Sequence, residues 1–140
     1  MARVDFYVLG EAGEQVRQAF ACRLAEKAYR LNNTVHIEAA DAEGAKRLDD
    51  LLWTFRDGSF VPHQLLGDSP HEAPVTIGFG GTDVPARDLL INLSPEIPGI
   101  AETFPRIAEL VSADDECKQQ SRKRFASYRD QGHTIDTHNV

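Results

Sequence analysis

Cysteine is scarce in this sequence: two in 140 residues, Cys22 and Cys117, far apart. No CxxC pair occurs, which removes the usual zinc spacings. Apolar runs are short, and none approaches the ~20 residues of a membrane-spanning helix. The start, Met1-Ala2-Arg3-Val4-Asp5, lacks the basic segment and apolar stretch of a signal peptide. A cytoplasmic location is therefore expected, with free thiols and no membrane contact. Positive charge is also in deficit, since the formal net charge is -7. An acidic body repels phosphate backbones and argues against direct nucleic-acid binding, unless a basic patch is local.

What is present is ordinary globular composition, 41% hydrophobic and 26% charged. The length suits one domain over residues 1–140 with a modest core. Residues 4–9 read as a strand, ended by Gly10 and Gly13. Residues 14–31 read as a helix with Val16, Phe20, Leu24, Ala28 and Leu31 on its apolar face. Its polar side would carry Arg17, Glu26 and Arg30. Residues 34–38 are β-branched at alternate positions, which predicts a second strand. Asp41 is placed to cap a second helix with Ala45, Leu48, Leu52 and Phe55 inward.

The middle, 56–74, reads as a long loop, with at most a short strand near Phe60-Val61. Strands resume at 75–79 and 89–93, and 104–111 is a further candidate, preceded by one helical turn near 101–104. Ser112 is the expected cap of a last helix, 113–130, with Asp115 reciprocal to it. Gly132 suits that helix's left-handed end, and an edge strand is possible at 134–136. Strands alternating with helices predict an α/β fold: a three-layer α/β/α, Rossmann-like, mostly parallel sheet.

Such folds hold cofactors at the first strand–helix turn. Here that turn is Gly10-Glu11-Ala12-Gly13-Glu14, without the third glycine of GxGxxG and without GxxxxGK[ST]. Two glutamates stand where a pyrophosphate would sit, so no cofactor is expected. The histidines His36, His63, His71, His133 and His138 form no HExxH motif. A metal site from His63, His71, Asp68 and Glu72 is conceivable, but polar loops commonly carry such residues. Adjacent carboxylates, Asp49-Asp50 and Asp114-Asp115, do not face each other on a helix. Cys117 lies beside Asp114, Asp115 and Glu116, which oppose a thiolate. No catalytic set emerges.

Two features stand out. The first gathers the single tryptophan, Trp53, with Phe55, Phe60, Val61, Pro62, Leu65 and Leu66. Core packing explains part of it; a partner surface explains aromatics beside Asp57, Gly58 and Ser59 equally well. The second is the last helix. Lys118, Arg122, Phe125 and Arg129 share one face, and Cys117, Ser121, Arg124 and Tyr128 the adjacent one, so two faces read as basic surface. Late cations suit the helix macrodipole, and their stems can cover apolar surface. They also suit an acidic peptide with a hydrophobic end, whose carboxylate arginine receives with two parallel bonds. Single-stranded DNA is the other candidate ligand.

Several segments in order resemble the chi subunit family of bacterial DNA polymerase III, a clamp-loader accessory subunit. They are Phe6-Tyr7-Val8-Leu9, Arg47-Leu48-Asp49-Asp50-Leu51-Leu52-Trp53, Ser59-Phe60-Val61-Pro62-His63, Ala73-Pro74-Val75, Asp88-Leu89-Leu90-Ile91-Asn92-Leu93, and 118–132. The resemblance implies a non-catalytic protein of DNA replication with two partners. Trp53 and Phe60, with Val61, Pro62 and His63, would hold the psi subunit. Val111, Lys118, Arg122 and Phe125, supported by Tyr128 and Gly132, would bind the acidic C-terminal tail of single-stranded DNA-binding protein. Association with single-stranded DNA would then be indirect. The family's usual aromatic at the Phe125 position is tyrosine, which implies loss of a hydroxyl contact here. The rival reading is a small cytoplasmic nucleotide-binding protein or enzyme of Rossmann-like shape. It would need a pocket with converging polar groups.

Overall fold

Short runs rich in Val, Ile and Leu become the inner strands of a sheet, buried on both faces, while the edge strands are more polar. The computed structural model describes residues 2–55, 58, 60–66, 73–80, 84 and 87–140. Its strands are β1 (Arg3–Val8), β2 (Val35–Ala39), β3 (His63–Leu65), β4 (Val75–Phe79), β5 (Leu89–Asn92), β6 (Arg106–Val111) and β7 (Thr134–Asn139). Its helices are α1 (Glu14–Arg30), α2 (Ala42–Thr54) and α3 (Asp115–Asp130), and a 3-10 turn spans Gly99–Thr103. The strands make one open sheet in the order β3-β4-β2-β5-β6-β1-β7. Every pairing is parallel.

Side-chain alternation along each strand divides the core into two clusters. Ile37, Ile77, Ile91 and Leu110 face α1 and α2. Val4, Phe6, Leu90 and Ile107 face α3 and the 3-10 turn. Helices therefore cover both faces of the sheet, as the strand–helix alternation predicts. Gly78 in β4 is bare because a Cβ there would meet Leu66 Cδ1 at 2.8 Å and the His36 ring at 3.1 Å.

Several expectations are corrected. The expected apolar face of α1 is only partly the buried one: Ala28 is buried and Phe20 and Leu24 are half-buried against the core, but the centre of the face is Ala21, Cys22 and Ala25, with Arg17 and Glu26 buried beside them and Leu31 64% exposed. Small residues let the helix lie close to the sheet, and Arg17 stays because its Nε donates to the Leu110 carbonyl at 3.0 Å. In the last helix, the face of Ser121, Arg124 and Tyr128 is not a second basic surface; it is the buried face. The strand expected near Phe60-Val61 forms two residues later. The tail is not a short fragment but a full edge strand beside β1. Asp41 does cap α2, accepting from the Gly44 amide at 2.8 Å.

Ser112 does not cap α3. Its hydroxyl donates to Asp114 Oδ2 at 2.7 Å, and the same carboxylate accepts the Gly13 amide at 2.9 Å. Asp114 thus ties the start of α3 to the β1–α1 turn. The Gly13 amide, with the Ser112 hydroxyl, holds its carboxyl below the usual aspartate range. A carboxyl lowered on folding adds stability above its unfolded value and loses it as pH falls through its folded one. Acid titration of unfolding should show Asp114→Asn losing less stability than the parent below about pH 4.

The two cysteines are free. Burial pushes the Cys22 thiol up to about 12, whereas Cys117 is half-buried. A thiol reagent at neutral pH should modify Cys117 first and reach Cys22 only on unfolding, with mass spectrometry as the readout. Equal rates for both would contradict this packing.

Candidate functional site

α3 runs over the end of the sheet where β6, β1 and β7 lie side by side. Its residues Lys118, Ser121, Arg122 and Phe125 form one wall of a groove of about 280 Å³. The floor is Phe6 and Val8 of β1 with Val111 of β6, and Thr137 of β7 forms the far wall. The floor is apolar because even-numbered β1 residues point to the α3 side. Phe125 is half-buried over Phe6, ring centroids 5.3 Å apart. Lys118 is half-buried and Arg122 exposed; among the described residues neither forms an ion pair. The groove thus combines an apolar hollow with two unneutralised cations, on a chain of net charge -7.

Val111, Lys118, Arg122 and Phe125, which the sequence singles out together, converge on this groove. Tyr128 lies behind it, 1% exposed, and its ring meets Phe6 edge-on at 6.1 Å. Gly132 stands beyond the end of α3 with φ 85°, and lines no part of the groove. There the amides of Gly132 and His133 close the helix on the carbonyls of Arg129 and Tyr128.

Beneath α3 is a buried polar network that sequence reasoning missed. Glu109 of β6 is fully buried. Its Oε1 accepts from Arg124 Nε at 2.9 Å. Its Oε2 accepts from the Tyr128 hydroxyl at 2.7 Å and the Asn92 amide at 2.9 Å. Arg124 Nη1 also donates to the Pro95 carbonyl. Burial pushes the Glu109 carboxyl above its usual range, opposed by Arg124 and the donated hydrogen bonds. Burial and the nearby Glu109 carboxylate push the Tyr128 phenol well above its usual value. Arg124 and Tyr128 are one turn apart, so Glu109 grips α3 at two points on either side of Phe125.

The second surface lies at the other sheet edge. Trp53, in the last turn of α2, is 56% exposed, and Phe60 is 61% exposed. Their ring centroids are 5.6 Å apart, and His63 sits 4.8 Å from Trp53. The His63 side chain is buried, with its ring nitrogens facing the carbonyls of Val61 and Asp49. Val61 is 1% exposed and belongs to the core, while Pro62 is half-buried. Asp57, Ser59, Asp68, His71 and Glu72, and with them most of the conceivable metal set, lie outside the described residues. No group of three metal-ligating side chains occurs among the described residues. Among the described residues, no helix is long and apolar enough to cross a membrane.

A crevice also opens at the carboxyl ends of the strands, where open α/β sheets hold ligands. Arg17, Asp41, Leu93, Pro95 and Arg124 are among its lining residues. At the turn where a phosphate would be held, the Gly13 amide holds the chain's own Asp114. Arg17 is bonded to Glu14 and Leu110, and Arg124 to Glu109 and Pro95.

Phe6 and Val8 are legible as the alternate residues of a strand, but nothing in the sequence sets that strand beside β7. Thr137 joins the groove only through the parallel pairing that places it opposite Phe6. Glu109 reads as a lone acid in an apolar run, Ile107-Ala108-Glu109-Leu110-Val111. That break in the run is the signal by which it is recognisable.

Among solved structures, the chain resembles that of T4 UvsW, with a TM-score of 0.69 over 99% of this chain and 41% of that one. At 10% identity the likeness is one of fold. Sequence relatives are far nearer. The DNA polymerase III subunit chi of Pseudomonas aeruginosa is 44% identical over 100% of this chain and 98% of its own. That of Haemophilus influenzae is 36% identical, covering 97% of this chain and 96% of its own. That of Escherichia coli is 32% identical, covering 98% and 97%. The family model for "DNA polymerase III chi subunit, HolC" matches residues 1–136. By family match and full-length identity, the chain belongs to the DNA polymerase III chi subunit family.

Proposed function

We propose that the chain is a non-catalytic tether, binding the acidic C-terminal tail of single-stranded DNA-binding protein and, through the psi subunit, the clamp loader. One observation carries the reading: among the described residues, Lys118 and Arg122 form no ion pair, and they stand beside an apolar hollow floored by Phe6, Val8 and Val111. A tail ending in a hydrophobic residue places that side chain in the hollow. Its terminal carboxylate then accepts from Arg122 and Lys118. Tyr128 supports the floor from behind, and Gly132 fixes where α3 stops. Contact with single-stranded DNA is indirect, in the cytoplasmic replisome, and the domain works as one unit over residues 1–140.

Psi is assigned to the Trp53–Phe60 surface, because two large rings exposed side by side suit a partner better than solvent. This surface flanks β3 and the tail groove flanks β7, six strand spacings away, or roughly 29 Å at about 4.8 Å each. They also lie on opposite faces of the sheet, so neither partner obstructs the other. Each contact gains from the other by raising effective concentration.

Titrating the protein with an acidic tail peptide at low salt tests the main assignment. Saturable binding that weakens with salt and disappears when the peptide's last residue is removed is expected. No binding at low salt would contradict it. For psi, Trp53→Ala combined with Phe60→Ala should leave folding intact, since both rings are exposed, and abolish co-purification with psi. Retained co-purification would move psi elsewhere.

A further inference from the structure

Three helices begin around the crevice at the carboxyl ends of the strands. Glu14 opens α1, Asp41 caps α2 and Cys117 lies in the first turn of α3, and all three line a hollow of about 240 Å³. Helix starts carry partial positive charge, which favours an anion. The side chains between them add donors. Arg17 is 8% exposed and Arg124 4% exposed, and both line the crevice. Arg17 donates from Nε to the Leu110 carbonyl at 3.0 Å and from Nη1 to Glu14 at 2.7 Å. Arg124 donates from Nε to Glu109 and from Nη1 to the Pro95 carbonyl, both at 2.9 Å. Among the described residues, the Nη2 of each guanidinium has no hydrogen-bond partner.

Gln18, next to Arg17, is 7% exposed and lines the same crevice. Among the described residues its side-chain amide makes no hydrogen bond. Buried polar groups are nearly always paired, so an amide that borders a hollow takes its partner from what fills it. The lining sets three guanidiniums, of Arg17, Arg47 and Arg124, against two carboxylates, of Glu14 and Asp41. Asp41 is engaged by the Gly44 amide at 2.8 Å. Glu14 is exposed, and its pair with Arg17 is readily exchanged. Beyond Pro95, Gln120 and Arg124 the crevice continues into a hollow of about 360 Å³, where Pro95 and Ile97 give an apolar side.

We propose that this crevice binds a small phosphate ester, its phosphate received by Arg17, Gln18 and Arg124 and its organic part lying along Pro95 and Ile97. The Gly13 amide holds Asp114, so the glycine turn takes no part. The phosphate meets the free Nη2 of both arginines, in charge-assisted bonds that a neutral ligand cannot form. The two hollows together suit a ligand of mononucleotide size. A ligand held there joins the starts of three helices, so binding raises thermal stability. The site shares no lining residue with the groove of Lys118 and Arg122, and its failure leaves the tail-binding reading untouched.

The test titrates nitrogen-15-labelled protein with inorganic phosphate, thymidine monophosphate and thymidine. Both phosphates should shift the Gln18 side-chain amide signal and saturate, with half-saturation at about 1 mM or below. The nucleotide should also shift the Ile97 amide, and thymidine should shift neither. A Gln18 signal unmoved by either phosphate, or moved without saturation, overturns the site. Thymidine binding as tightly as its monophosphate overturns the phosphate chemistry. By calorimetry, Gln18→Leu, which keeps the volume and removes the donor, should weaken the nucleotide about five- to tenfold. Arg47→Ala should weaken it about two- to fivefold, since that side chain is exposed and only its surface pair with Glu43 is lost. Lys46, also exposed, does not line the crevice, and Lys46→Ala should change nothing. Equal weakening by Arg47→Ala and Lys46→Ala would mean diffuse attraction and overturn the proposal.

Discussion

Replacing Glu109 with alanine should lower the unfolding free energy by about 3–5 kcal/mol, the range for breaking a buried ion pair from one side. The carboxylate is the acceptor for Arg124, Tyr128 and Asn92, none of which can turn to water. Its removal leaves a guanidinium 4% exposed with the Pro95 carbonyl as its remaining partner in this network. The Tyr128 hydroxyl loses its acceptor in the same step, at a further desolvation cost. In a chain of this size the thermal midpoint should fall by about 10 °C. Glu109→Gln keeps the volume and one acceptor oxygen, so it should lie between parent and alanine variant. Urea denaturation of all three chains measures the order. A loss below about 1 kcal/mol for the alanine variant would mean that the network contributes little beyond packing. Because Arg124 and Tyr128 hold α3 on either side of Phe125, the same variant should also widen the groove and weaken any ligand in it.

Arg122→Ala should weaken binding of an acidic tail peptide by about ten- to hundredfold while leaving stability unchanged. The side chain is exposed and forms no ion pair among the described residues, so folding does not depend on it. Its guanidinium matches the geometry of a terminal carboxylate, which a lysine point charge does not. Arg122→Lys should therefore recover only part of the loss. Lys123, one residue on, is exposed but does not line the groove, and Lys123→Ala provides the control for net charge. Calorimetric titration at two salt concentrations separates the cases. If Arg122→Ala and Lys123→Ala weaken binding equally, attraction is diffuse and the groove is not the site.

Much of this was legible in the chain itself. The runs at 75–79 and 89–93 read as strands because burial on both faces demands continuous apolar sequence, and 34–38 because β-branched residues alternate there. Lys118, Arg122 and Phe125 could be set on one face because helical periodicity is local. What failed needed long-range information. The α1 face was only partly legible: Phe20 and Leu24 pack at its edge, whereas a close approach to the sheet favours alanine and cysteine at its centre and a buried carbonyl rewards Arg17. Arg124 was read as surface because its partner Glu109 lies 15 residues earlier, on another element. β7 was underestimated because its residues, Thr-Ile-Asp-Thr-His-Asn, are polar. An edge strand needs only one covered face, and parallel pairing to β1 determines the rest. The far wall of the groove was invisible for the same reason.

The central claim is that this chain engages single-stranded DNA-binding protein through that protein's tail alone. Sedimentation of the chain with intact single-stranded DNA-binding protein on a long single strand, and with the same protein shortened by its last few residues, measures it most directly. Co-sedimentation with the intact protein, none with the shortened one, and none with bare DNA is the predicted result. Equal co-sedimentation with both forms, or with bare DNA, would contradict the account.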